Sequence, residues 1–139
     1  NVVHATATSS QYADLAERYK ADQPMEAGDV VELGGAEEIT LCQGVNSTRV
    51  FGVVSEKPAY LMNSQAGNDD SHPMVALKGR VRVKVKGPGH AGERLVSAGD
   101  GVAKVAKLEE TNAFSVIGRL IKTKYSSITE LTECVIGVK

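Results

Sequence analysis

Between Met74 and Lys86 the chain alternates with a period of two. Val75, Leu77, Val81, Val83 and Val85 occupy one parity, and Lys78, Arg80, Arg82, Lys84 and Lys86 occupy the other. A helix would scatter these two sets around its circumference, whereas an extended strand sends successive side chains to opposite faces. The segment therefore reads as a half-buried β-strand, with Gly79 a candidate bulge.

Once this strand is set, the flanking segments read as its neighbours. Val30–Leu33 and Ile39–Cys42 lie either side of Gly34-Gly35 and form a hairpin pattern. Val50–Val54 is apolar throughout, as expected of a central strand buried on both faces. Three turns of one kind, Ala27-Gly28-Asp29, Ala91-Gly92-Glu93 and Ala98-Gly99-Asp100, each launch an apolar run. Glycine supplies positive φ there and the acid bonds nearby backbone N–H groups. Two further runs, Ser115–Ile121 and Glu133–Val138, carry glycine amid large apolar residues, as does Val50–Val54. Glycine weakens a strand and is tolerated where another backbone comes close, as in a tightly curved sheet. There is no Trp and aromatics are 4% of the chain, so the core must be built mainly from Val, Leu, Ile and Ala. The expected fold is mainly β: a small β-barrel or sandwich of about eight to ten short, mostly antiparallel strands.

One helix is expected, over about 12–22. Tyr12, Leu15 and Tyr19 are spaced three and four apart, Ser9 or Ser10 is placed to cap the start, and Pro24 lies past the end. Residues 1–11 read as an arm or linker, and residues 12–139 as a single β-rich domain.

The charges nearly cancel, 16 basic against 17 acidic, so no overall field favours nucleic acid or anionic lipid. No apolar run approaches the roughly 20 residues of a membrane span. Cys42 and Cys134 sit within apparent strands and are expected to be buried free thiols. His4, His72 and His90 fall in separate segments without the spacing of metal ligands. No cofactor motif, phosphate loop or nucleophile elbow is present, so neither a cofactor nor a conventional enzyme is expected.

Two groups stand out as candidate sites. Lys78, Arg80, Arg82, Lys84 and Lys86 would form a cationic row roughly 27 Å long at about 3.4 Å per residue. Such a row suits a glycan or another anion. No aromatic side chain interleaves with it, so it lacks a stacking platform for single-stranded nucleic acid. The competing reading, which we favour, is a solvated face or one that meets acids such as Glu32, Glu37 and Glu38. Asp14 and Glu17 would share a face of the expected helix, and a close carboxylate pair can divide its pKa values for acid–base work. An exposed pair beside Arg18 and Lys20 is the plainer alternative, and again the favoured one. Asn68–His72 gathers acids, Ser and His in one loop, which is not how a catalytic triad converges. Gly87–Gly92 reads as a hairpin turn.

The order of segments resembles a domain found near the C-terminus of many phage tail-fibre and other virion structural proteins. The residues that carry the likeness are Gln11–Glu17, Gly28–Val31, Val50–Ser55 with Pro58–Asn63, Val75–Val81, Lys84–Pro88, Gly92–Ser97 and Val116–Arg119. The resemblance implies a virion location, a homotrimer, other appendage proteins as partners, and a role in trimer assembly and host attachment. A more distant likeness is to the self-cleaving intramolecular-chaperone domains of phage neck-appendage proteins, where acidic residues near the cleavage point act. Here that role would fall to Asp14 and Glu17. A capsid-decorating or glycan-binding barrel is a third reading. With a trimer implied, Tyr12, Leu15 and Tyr19 become candidate interface residues.

Overall fold

The computed structural model describes residues 13–139. The expected arm, and Tyr12, lie outside the described residues. Ten strands follow in chain order: β1 Leu15–Arg18, β2 Val30–Leu33, β3 Ile39–Leu41, β4 Val50–Val54, β5 Tyr60–Met62, β6 Met74–Val85, β7 Arg94–Gly99, β8 Val102–Val105, β9 Gly118–Leu120 and β10 Glu130–Ile136. Hydrogen bonding runs β10-β9-β7-β8-β6, and β6 pairs again with β10, so five strands close into a barrel. Within that ring only the β6–β8 contact, Val85 opposite Ala103, is parallel. From the first half of β6 an open sheet extends through β4, β2 and β3, and β1 with β5 lies along the other side of β6.

The long strand serves both parts because it changes partners at Gly79. Before it, Met74–Lys78 pairs with β1, and Val75 and Ala76 also pair with β4. From Gly79 to Val85 the partner is β10. Gly79 has φ +115°, and a Cβ there would lie 2.5 Å from the Ala13 carbonyl oxygen, so only glycine fits. The irregularity changes which face each parity serves. Val75 and Leu77 pack in the outer cluster of the open sheet, whereas Val81, Val83 and Val85, of the same parity, fill the barrel. Ala76, of the opposite parity, joins the barrel core. The sequence alternation is one pattern; the folded strand divides it into two.

Ring closure also sets a steric demand at β9. Gly118 pairs with both Leu95 and Ile136, and a Cβ at Gly118 would collide with the Val135 carbonyl oxygen and crowd the Ile136 Cα at 2.7 Å. The close backbone approach expected of the glycine-bearing runs is realised here.

The expected helix over 12–22 is not formed. Residues 15–18 are strand β1, bonded to β6 and, in parallel, to β5. Asp14 and Ala16 are buried and Leu15 is exposed, a period of two that the short segment carries as well as it carries a helical stripe. A ten-residue helix is marginal on its own, and as a strand the segment bonds to the edge of β6 on one side and to β5 on the other. The strand β5 was not expected from the sequence. Gly87–Gly92 is not a hairpin turn either: it links β6 to β7, and β7 pairs with β8 and β9 instead.

Two apolar clusters result. The larger joins Val81, Val83, Val85, Leu95, Ala103, Ile117, Leu120, Cys134 and Ile136 of the barrel to Val30, Cys42, Val53 and Ala76. The smaller holds Val31, Ile39, Val54 and Val75, with Tyr19, Phe51 and Leu77 packed against it. Both cysteines are buried and free, as expected. Burial pushes the Cys134 thiol up to about 12.

Candidate functional site

The alternation of β6 places its basic residues outside the barrel, and the fold brings acids to three of the five. Arg80 donates from Nε to Glu133 Oε1 on β10 at 2.9 Å, and Lys122 reaches the other Glu133 oxygen at 3.0 Å. Those two cations, Lys122 first, hold the Glu133 carboxyl below its ordinary range. Arg82 donates from Nε to Glu56 at 3.0 Å. Lys84 bridges Glu26 and Asp29, each at 2.6 Å. Desolvation alone would lower the Lys84 pKa, but its bonds to Asp29 and Glu26 outweigh that and raise it. Lys78 and Lys86, at the two ends of the row, are exposed and form no ion pair among the described residues. The row is thus a ladder of ion pairs with a free ammonium at either end. The acids are not those named from the sequence: Glu32 pairs with Arg49, Glu37 with Lys20, and Glu38 accepts from the Lys20 backbone N–H.

Asp14 is a different kind of site. It is 2% exposed, its Oδ2 has no hydrogen-bond partner, and Ser55, also buried, bonds the carboxylate. Burial raises its pKa, and the Ser55 bond only partly offsets this. The Asp14 carbonyl accepts from Ala59 N–H at 2.9 Å, which ties it to the start of β5. Glu17 does not join it. In a strand these positions point to opposite faces, and Glu17 instead accepts from the Tyr19 hydroxyl at 2.8 Å. That bond and burial, burial first, push the Tyr19 phenol up to about 12.

The other sequence candidates separate in the same way. Leu15 is 38% exposed, whereas the Tyr19 ring packs edge-on against Phe51 at 5.2 Å. They share no helical face. In the Asn68–His72 loop, His72 Nδ1 lies 2.9 Å from Ser71 Oγ, and Asp69 accepts from Arg18 at 2.8 Å, so the acid is engaged by an arginine rather than by the histidine. Among the described residues no three His, Cys, Asp or Glu side chains gather as a metal site, and no helix is long and apolar enough to cross a membrane.

No family model matches the chain, and no curated protein matches it in sequence. Solved structures match it in shape. The C-terminal fragment of bacteriophage phi29 gene product 12 superposes with a TM-score of 0.64 at 15% identity, over 91% of this chain and 100% of that one. The chain thus shares its fold with that bacteriophage protein fragment. Pre-mature gene product 12 of the same phage gives a TM-score of 0.65 at 15% identity, covering 92% of this chain but 22% of that longer one. The N base of the phi29 head fiber gp8.5 gives 0.50 at 13% identity, over 86% of this chain and 91% of that one.

What sequence reasoning missed are the partners. Ser55 beside Asp14, and Glu26, Asp29, Glu56 and Glu133 beside the row, are far from their contacts along the chain. The signal nearest to hand was the acid of the Gly28-Asp29 turn, which is 6% exposed. A turn acid buried that deeply needs a cation, and Lys84 supplies it.

Proposed function

We propose that this chain is a structural module of a bacteriophage virion appendage, such as a tail fibre, and that it supports assembly of that appendage as a homotrimer. The single observation behind this reading is the match in shape to the C-terminal fragment of gene product 12, which takes in nearly all of this chain and the whole of that one. The module would stand on the virion among other appendage proteins, and its contribution to host attachment would be to hold a fibre in register. The barrel suits that role, because a closed ring has few free edges and resists deformation. Light scattering across a dilution series tests the reading. A persistent trimer supports it, and a monomer at every concentration counts against it.

A second reading has one observation in its favour. Asp14 is a buried carboxylate with an unpartnered oxygen, and burial raises its pKa, the kind of environment in which a carboxyl is tuned for proton transfer. An autoproteolytic intramolecular chaperone would use such a group, and Asp14 suits the role better than Glu17. Intact mass of a chain carrying further upstream sequence tests this. Spontaneous cleavage that Asp14→Asn abolishes and Glu17→Gln leaves intact supports it; an uncut chain counts against it. The glycan reading of the basic row has less support, because the central three cations are already engaged by acids.

A further inference from the structure

The connection from β9 to β10, residues 121–129, lies at the end of the barrel where Val85 of β6 stands opposite Glu130 of β10. Apolar burial does not hold it there, since Tyr125 is 88% exposed and Ile128 62%. What the connection buries instead is a cation. The Lys124 side chain is 2% exposed. Its Nζ donates to the main-chain carbonyls of Gly87 at 2.9 Å, Ser126 at 2.7 Å and Ile128 at 2.5 Å, and lies 3.2 Å from Ser126 Oγ. An ammonium has three N–H groups and no lone pair, so three carbonyls satisfy it in full. The Ser126 hydroxyl turns its own hydrogen away and donates to Glu130 Oε1 at 2.7 Å. That carboxylate oxygen stands 4.0 Å from Nζ and brings the opposite charge without a direct bond.

We propose that the carbonyl oxygens of Gly87, Ser126 and Ile128 form a binding site for an ammonium-type cation, which the chain fills with its own Lys124, and that this cation fixes the shape of residues 125–129. The proposal is independent of the trimer reading. Main-chain carbonyls can replace the hydration shell of a bare monovalent ion, and these three converge on one point from two directions. Gly87 reaches it from the link between β6 and β7, Ser126 and Ile128 from the connection itself. The base of the lysine is held separately. Its backbone N–H donates to the Gly89 carbonyl at 2.8 Å and its carbonyl accepts from the Gly89 N–H at 2.9 Å. Beside it the Ala91 N–H donates to Thr123 Oγ1 at 3.0 Å. From that anchored base the ammonium gathers carbonyls two and four residues further on, and so folds the connection back on itself. With no positive charge among them the carbonyl dipoles would repel one another, and their hydrogen bonds would be unmade. The lysines and arginines of β6 differ, because they meet flexible carboxylates rather than fixed carbonyls.

The test is hydrogen exchange on the whole chain. Lys124→Met keeps the length of the side chain and removes its charge and its donors. Amides of residues 125–130 should then exchange about tenfold faster or more, the effect of losing the bonds of one charged group, while those of β3 and β4 keep their rates. Lys124→Ala should loosen the same residues and leave the site open. Ammonium chloride or propylammonium chloride should slow their exchange again. Tetramethylammonium chloride at the same concentration, which has the charge but no N–H, should not. Wild-type rates over 125–130 in Lys124→Met overturn the proposal, and so does an equal response of Lys124→Ala to all three salts or to none. Should the variants fail to fold at low salt, far-UV circular dichroism of Lys124→Ala in the three salts decides. Refolding in ammonium or propylammonium alone supports the site, and refolding in all three or in none overturns it.

Discussion

The barrel and the open sheet share β6 but are held together differently. Around Gly79–Val85 the ring closes on itself, and Val81, Val83 and Val85 meet Leu95, Leu120, Cys134 and Ile136 in one apolar interior. Around Met74–Lys78 nothing closes. The smaller cluster there is reinforced by side chains reaching to loops: Arg18 donates to Asp69 at 2.8 Å and to the His72 carbonyl at 2.7 Å, and Tyr19 packs on Phe51. A ring transmits any loss around its circumference, whereas a stapled sheet can open one staple at a time. The barrel should therefore unfold as one unit and the open sheet should show local opening below that free energy.

The hardest way to break the comparison is at ring closure. Gly118→Ala puts a methyl group against the Val135 carbonyl and should cost about 3 kcal/mol or more of global stability, measured by denaturant unfolding. A loss under about 1 kcal/mol would mean that the ring is not the cooperative unit. In the open sheet, Arg18→Ala removes two bonds from a side chain that is 14% exposed, and should cost about 1–2 kcal/mol. Hydrogen exchange should show that loss as faster exchange over residues 63–73, with the barrel amides slowed as before. Equal acceleration in the barrel would erase the distinction.

Asp14→Asn should act in the opposite direction, by about 1 kcal/mol of stabilisation at pH 7. The sign follows from burial. The folded-state pKa of Asp14 is raised, so the folded chain holds a proton that the unfolded chain releases, and stability is lost as pH rises through that interval. The advantage of asparagine should therefore be largest above the raised folded-state pKa and disappear below the ordinary carboxylate range, as read from melting curves across a pH series. Glu133 has the reverse slope: its lowered pKa contributes stability above the ordinary carboxylate range that is lost as pH falls through the folded value. The smallest effect is expected on the basic row itself. Arg82→Gln removes an ion pair whose two side chains are each about half exposed, and should change stability by no more than about 0.5 kcal/mol.

How far the sequence could be read depended on the range of the interaction. The alternation along β6, the hairpin of β2 with β3, the central burial of β4 and the buried state of Cys42 and Cys134 are set by neighbours a few residues apart, and all are present in the fold. The candidate sites were legible in part. The basic row and Asp14 are where the residue types suggested, but their meaning depends on Glu133, Glu56, Asp29 and Ser55, which nothing local marks. Arg80 and Glu133 are 53 residues apart, and Lys84 and Asp29 are 55 apart.

By itself the sequence determined that this is a β protein with a Val-rich interior and a basic strand face, because a period of two is a property of the strand alone. Tertiary structure decided three things. It made β1 a strand, because β6 on one side and β5 on the other bond its backbone, whereas a ten-residue helix is marginal on its own. It divided the alternation of β6 between two cores, because the strand breaks register with β1 between Ala76 and Lys78 and turns through positive φ at Gly79 as it changes partners. It neutralised the centre of the basic row and left Lys78 unpaired, because ring closure carries β10 alongside β6 and the open sheet carries Asp29 and Glu56 to its other flank.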